Sequence, residues 1–378
     1  MLGFDHLQLQ QIWWIIISLV GALFILMSFV QGGQTLLVTS TRSELEKTLI
    51  VNSLGRKWEL TYTLLVLFGG AFFAAFPRFY ATSFSGAYWV WMLILLTFVL
   101  QAISYEFRKK PGNLLGSRTY EWFLFVNGSL GLFAIGAAVG TLFTGGNFII
   151  NENNLISWSH PAHGLEALLV PFNLAVGFLV VFLARVLGSI YLVNNLSENG
   201  DLLERLRKSS FNNLLALLPF LLFILYQWLT MTGYGYTVNQ EIILVKGKYF
   251  QNLLAMPLPG LGFLLLGLVL IVLGVILTRF TKSTRGIWAS GPGAVLTGLA
   301  LFLILGLNKT AFYPSRFDLQ SSLTIENASS SLYTLSAMTL VALAVPFILA
   351  YVSYVWRLMN AEKISVRDVE DKESQEFY

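Results

Sequence analysis

A chain of 378 residues that is 56% hydrophobic and only 12% charged is not built for water; a soluble protein of this size carries about twice that charged fraction. Its 30 Phe, 15 Tyr and 10 Trp exceed what one soluble core hides, which excludes a soluble enzyme, a nucleic-acid-binding domain and a disordered scaffold. The net charge of +4 reflects basic residues gathered on one membrane face, and the absence of Cys excludes disulfides, thiolate metal sites and iron–sulfur clusters.

A bilayer core of about 30 Å takes about 20 apolar residues per helix. Nine stretches meet that length, at 12–30, 60–77, 84–104, 122–143, 167–192, 211–233, 258–278, 287–307 and 334–356. Eight carry no Asp, Glu, Lys or Arg; the fifth carries Arg185. The first has no basic residue before it and no small-residue cleavage site, so it is expected to stay as a helix rather than to be cut as a signal peptide.

The basic residues orient the nine. Loops after the first, third, fifth and seventh spans hold Arg42, Lys47, Arg56, Lys57, Arg108, Lys109, Lys110, Arg118, Arg205, Arg207, Lys208, Arg279, Lys282 and Arg285. The tail after the ninth adds Arg357, Lys363, Arg367 and Lys372. The other side has only Arg78, Lys246, Lys248, Lys309 and Arg316. Under the positive-inside rule this predicts an N-terminus outside and a C-terminus inside. Trp13, Trp14, Trp89, Trp91 and Trp228 fall in outer halves of spans and Trp58, Trp122, Trp288 and Trp356 in inner ones, as interfacial indoles do. Gly260, Gly267 and Gly274, and the pair Gly136 and Gly140, read as close helix packing. The expected whole is an all-α integral membrane protein, a single membrane domain over 1–378 with no soluble module.

Chemistry has few places to sit. His6 precedes the first span, and His160 and His163 lie in an outer loop, so no histidine stands mid-membrane to ligate haem. The pair at 160 and 163 lacks an evident third metal ligand and reads as a surface or lid feature. Gln31-Gly32-Gly33-Gln34 follows a membrane span and has no Lys-Ser/Thr after it, so it is not a phosphate loop. Arg185, about two turns from the inner end of its span, either snorkels, joins a structural ion pair or lines a pathway. Glu59, Glu106 and Glu121 at the inner ends of spans, and Glu166 at an outer end, read first as interfacial carboxylates. Two classes remain from spacing alone: a small-solute transporter, for which Asn127, Asn173 and Gln227 are mid-depth polar candidates, and a core subunit of a respiratory complex.

Several stretches then carry a family resemblance. Asn52-Ser53, Trp58-Glu59, the run from Gly69 to Tyr80, and Phe84-Ser85-Gly86-Ala87-Tyr88 resemble subunit II of the cytochrome bd quinol oxidases. Trp13-Trp14, Pro171-Phe172, Gly188, Tyr191-Leu192, Tyr313-Pro314, Ser322 to Ile325, Asn327 to Ser331, Pro346 to Tyr351 and Trp356 follow in order. The resemblance implies two four-helix bundles plus one peripheral helix in the bacterial cytoplasmic membrane. It implies a partner, subunit I, which carries b-type and d-type haems and the quinol site, with small accessory membrane subunits beside it. The complex oxidises quinol, reduces dioxygen to water and charges the membrane; this chain alone holds no cofactor and supports proton access. Glu59 and Glu106 are then candidates for the proton path, and Trp58, Arg185 and Gln31 for positioning. One departure stands out: the end of the first span reads Ser28 to Gln34, where the family often has carboxylates. Gln31 cannot pass a proton by ionising, so a route through it is in doubt.

Overall fold

The computed structural model describes residues 3–197, 200–360 and 362–365; Arg367 and Lys372 of the basic tail lie outside them. Among the described residues nine helices are long and apolar enough to cross a membrane: His6–Thr39, Trp58–Ala75, Tyr88–Phe107, Ser117–Thr144, Pro171–Asn195, Asp201–Thr230, Pro257–Arg279, Ile287–Gly306 and Leu332–Met359. The nine expected spans each match one of these, and most ends differ by a few residues.

The larger differences have local causes. The first helix runs nine residues past the expected end, with only a one-residue turn at Ser28. Gln31, Gly32, Gly33 and Gln34, expected after the span, are helical and fully buried. Their polarity marks a protein interior, not an exit from the bilayer. The sixth helix begins at Asp201, ten residues early, because its charged first turns are held by contacts such as Arg205 with Glu46 at 2.5 Å and Arg279 with Glu204 at 2.6 Å. A further helix, Glu44–Gly55, is capped by Ser43 and follows the first span.

Spans one to four pack as one bundle and spans five to eight as another. They meet where the fifth span lies along the first and fourth, and where the eighth lies along the first. The ninth touches mainly the first and second spans and is otherwise exposed, the peripheral helix of the expected plan. Small residues set the closest approaches. A Cβ at Gly32 would stand 1.9 Å from the Ala184 carbonyl oxygen, and one at Gly274 2.1 Å from Ser290 Oγ. Gly136 meets Gly177 and Gly140 meets Asn173, so the glycine spacing does read as packing.

Trp13 and Trp14 are not interfacial anchors. Trp14 is 1% exposed, donates its indole N–H to the Phe302 carbonyl at 2.9 Å and packs on Phe72, Phe76 and Phe312; Trp13 donates to Thr339 Oγ1 at 3.0 Å. The aromatic wealth fills a core as much as it lines a membrane surface. At the end opposite the basic loops, three short antiparallel hairpins join Phe148–Ile150 to Ile156–Trp158, Thr232–Tyr236 to Ile242–Lys246, and Ala311–Tyr313 to Leu323–Thr324. These small β units were invisible in the composition of the loops.

Candidate functional site

A column of polar side chains runs inside the first bundle. Thr97, Gln101 and Tyr105 follow at intervals of four along the third span and therefore share one helix face; each is at most 1% exposed. From the first span Gln34 reaches Tyr105, while Gln31 and Thr35 lie against Gly128 of the fourth, next to the buried Asn127. Asn127 opens a short π-helical stretch, Asn127–Gly131, inside the fourth span. Such a bulge re-aims side chains and frequently marks functional positions.

The spacing around this bulge is tight. A Cβ at Gly128 would fall 2.2 Å from the Gln31 carbonyl oxygen, and one at Gly131 would fall 2.4 Å from Thr97 Oγ1 and 3.4 Å from Asn127 Nδ2. Glycine at both positions lets the backbone of the fourth span come against the polar side chains. Toward the basic end, Gln34 Nε2 donates to Tyr105 Oη at 3.0 Å. Tyr105 then stacks on Trp58 with ring centroids 5.7 Å apart and planes 11° apart.

The hydrogen-bond account of this column is open. Both amide atoms of Gln31, Gln101 and Asn127, and Oε1 of Gln34, are buried and bond to no described protein atom. Buried amides in folded proteins are paired with protein or with ordered water. Seven such atoms, carried by three spans, are left for ordered water to satisfy.

Glu59 and Glu106 flank the foot of this column, one residue beyond Trp58 and Tyr105 respectively. Both are exposed on the surface of the chain. Glu106 pairs with Lys110 one turn away. Trp58 is half-buried, and its indole nitrogen bonds to no described atom.

Glu121, expected as an interfacial carboxylate, is 4% exposed. Arg108 donates to it at 2.8 Å and Lys47 at 2.9 Å. Lys47 also reaches Glu44 at 2.7 Å, and that hydrogen bond holds the Glu44 carboxyl below the usual carboxylate range. Arg108 is itself 1% exposed, so the Arg108–Glu121 pair is out of water, and Lys47 and Glu44 tie it to the Glu44–Gly55 helix. The sequence hid it because the three partners come from three separated segments.

Arg185 forms no ion pair among the described residues. Its guanidinium donates to Asn213 Oδ1 at 2.7 Å, Thr35 Oγ1 at 2.5 Å and Thr39 Oγ1 at 3.2 Å, all neutral acceptors. Of the mid-depth amides expected for a transporter, Asn173 is satisfied by Thr144 at 2.9 Å and the Ala167 carbonyl at 2.9 Å. Gln227 is half-buried on the sixth span and does not join Asn127.

The histidines lie at the end away from the basic loops. His160 Nδ1 stands 3.5 Å from Glu166, His163 packs on Tyr88 at 4.8 Å, and His6 bonds the Ser330 carbonyl at 3.0 Å. Among the described residues no three His, Cys, Asp or Glu side chains are grouped to hold a metal. No two histidines face each other across a haem-sized gap within the spans, so these residues do not fit a haem.

An apolar cavity of about 100 Å³ separates the two bundles, lined by Phe24, Phe68, Leu142, Leu179 and Phe302 among others.

These features define a polytopic helical membrane protein with a buried polar column. Residues 9–359 match the family model described as cytochrome bd terminal oxidase subunit II, and the chain belongs to that family. It is similar to "Cytochrome bd-I ubiquinol oxidase subunit 2" of Escherichia coli strain K12, 29% identical over 97% of this chain and 98% of that protein. It is also similar to "Cytochrome bd ubiquinol oxidase subunit 2" of Bacillus subtilis strain 168, 28% identical over 92% and 94%. The solved bd oxidase from Geobacillus thermodenitrificans contains a chain of like fold, with a TM-score of 0.63 at 16% identity, covering 94% of this chain and all of that one. The protein is thus a subunit of a terminal quinol oxidase complex, an oxidoreductase whose chemistry involves haem and quinol. The transporter alternative is not supported.

Proposed function

We propose that the chain braces a haem-bearing subunit I in the bacterial cytoplasmic membrane and gives protons access to it from the basic side. In this reading subunit I carries the b-type and d-type haems and the quinol site, small accessory membrane subunits sit beside the pair, and this chain is one membrane domain with its C-terminus inside. Protons that enter water come from the inner face, so turnover builds a membrane potential.

The observation that carries the reading is the column of unpaired buried amides, Gln31, Gln101 and Asn127, leading down past Tyr105 and Trp58 toward Glu59 and Glu106. The Gln31 amide does not ionise at physiological pH. The amides therefore orient water, and the ionising step falls to a carboxylate at the foot. Glu59 follows Trp58 directly and makes no ion pair among the described residues, whereas Glu106 is engaged by Lys110. Glu59 is accordingly assigned the proton-collecting role, Trp58 and Gln31 the positioning of its path, and Glu106 a supporting place.

The test is Glu59→Gln beside Glu59→Asp in the assembled complex. General acid–base groups contribute on the order of a hundredfold or more; for a collecting group at the mouth, Glu59→Gln is expected to slow quinol-dependent dioxygen uptake by roughly tenfold. Glu59→Asp keeps most of the rate, and both keep normal haem content. A Glu59→Gln complex with wild-type turnover and wild-type proton uptake from the inner side sinks the assignment.

A further inference from the structure

We propose that Arg185 anchors a structural anionic phospholipid, whose phosphate seats between the first, fifth and sixth spans on the basic side.

Arg185 is a cation inside a membrane span with no carboxylate within ion-pair distance among the described residues. Its three neutral partners fix the guanidinium but leave its charge unbalanced. An intramembrane charge is costly, and proteins place it where it meets a counter-charge or an interface. The guanidinium does reach an interface: its contact Thr39 is the last residue of the first helix. Three of its five N–H groups serve Asn213, Thr35 and Thr39, which leaves two to donate elsewhere.

The surroundings suit a phospholipid from headgroup to chain. Beside and before Asn213 on the sixth span, Asn212 and Lys208 are exposed. Nearer the start of that span, Arg205 donates to the Ser40 carbonyl at 2.7 Å while paired with Glu46. Phe182 and Phe178 continue the Arg185 face of the fifth span at three and seven residues' distance, a helix-stripe spacing. Both stack on Phe220 of the sixth span, at 5.8 and 5.1 Å between centroids. Phe178 is 41% exposed, so this aromatic floor is open to a chain lying along it. A guanidinium over an apolar strip, between helices and on the positively charged side, is the arrangement that binds acidic lipid headgroups.

The experiment uses the complex purified in detergent with its partner subunit, read by native mass spectrometry. Wild-type complex is expected to retain a tightly held phospholipid. After delipidation it should take up phosphatidylglycerol at least fivefold better than phosphatidylcholine. Arg185→Gln should lose this selectivity, Arg185→Lys should keep part of it, and Arg118→Gln, at an exposed position at the start of the fourth span, should change nothing. Asn212→Glu places a negative charge at an exposed position beside the site; it tests the idea without disturbing the buried hydrogen bonds and should expel the lipid. Three outcomes overturn the proposal: equal uptake of the two lipids by wild type, undiminished lipid in Asn212→Glu, or displacement by millimolar inorganic phosphate, which would mean a free-anion site. A cross-link from position 185 to a carboxylate of the partner subunit would likewise replace lipid with protein as the counter-charge.

Discussion

Lys57 stands just before the second span, fully buried, with its ammonium 3.1 Å from the Met359 sulfur and 4.7 Å from the centre of the Trp356 ring. Burial, with the neighbouring Arg56 charge adding to it, pulls its pKa from the ordinary lysine value to about 8. The sign of the consequence follows from linkage. Between pH 8 and the unfolded lysine value, the unfolded chain binds more protons than the folded one, so stability rises with pH through that window. Below pH 8 the buried charge is present in full and opposes folding, relieved in part by the indole face. Replacing the lysine with methionine should raise the thermal midpoint at pH 7, and that advantage should shrink steadily toward pH 10. Parallel profiles for wild type and Lys57→Met would mean that the ammonium is hydrated in the complex. Glu121 teaches a related lesson: a carboxylate at a span end looked interfacial in sequence, yet two cations from distant segments take it out of water.

Helix elements were legible wherever lipid dictated them. Apolar runs such as Phe263–Arg279 announce themselves because the bilayer demands about 20 apolar residues. What stayed hidden was every place where a helix faces protein instead. Gln31 to Gln34 looked like an exit from the membrane because polar residues are excluded from lipid, not from a bundle interior. The Thr97, Gln101 and Tyr105 stripe could have been found, since polar residues at four-residue intervals in an apolar span point one way; Asn127 could not have been placed opposite it without the π-helical turn. The seam between bundles was partly visible as glycine, but its partners were not. A methyl group at Gly32 would collide with the backbone of Ala184, and one at Gly188 would sit 2.4 Å from the Gly33 nitrogen. Overpacking costs about 1–3 kcal/mol when side chains can shift, and here the obstacle is backbone. Gly32→Ala should therefore lower the thermal midpoint and the yield of assembled complex clearly. Gly70→Ala, on an open face of the second span with nothing within 4 Å, should leave both unchanged. Equal behaviour of the two variants would show that the seam is loose.

For the whole molecule, the basic loops were the strongest guide, because charge asymmetry acts on insertion and survives any error in a helix boundary. A chain without cysteine offers a clean check of the resulting orientation. Ser197, exposed after the fifth span, and Asn153, exposed at the tip of a hairpin at the opposite end, are both open to reagent. Ser197→Cys should be labelled by an impermeant maleimide only from the cytoplasmic side, and Asn153→Cys only from the other. Labelling of both from one side would break the nine-span topology. The family and its nine-helix plan were within reach of the ordered motifs; the hairpins, the ion-pair knot and the state of Arg185 were not, since each depends on which distant segments meet.

The position of the first helix bears on how the protein is made. Its second half is buried by the fourth and fifth spans, yet it enters the membrane long before they exist. Ribosomes add about 5–20 residues per second, so roughly eight to thirty seconds pass between synthesis of Gln34 and of Arg185. During that interval two glutamines and a glycine pair face lipid or whatever shields them. Transmembrane helices insert first and associate afterwards, and here the interval is imposed by chain order. A segment made well before the fourth and fifth spans must wait for both to be buried, which makes it the natural place for an insertion factor to hold the nascent chain.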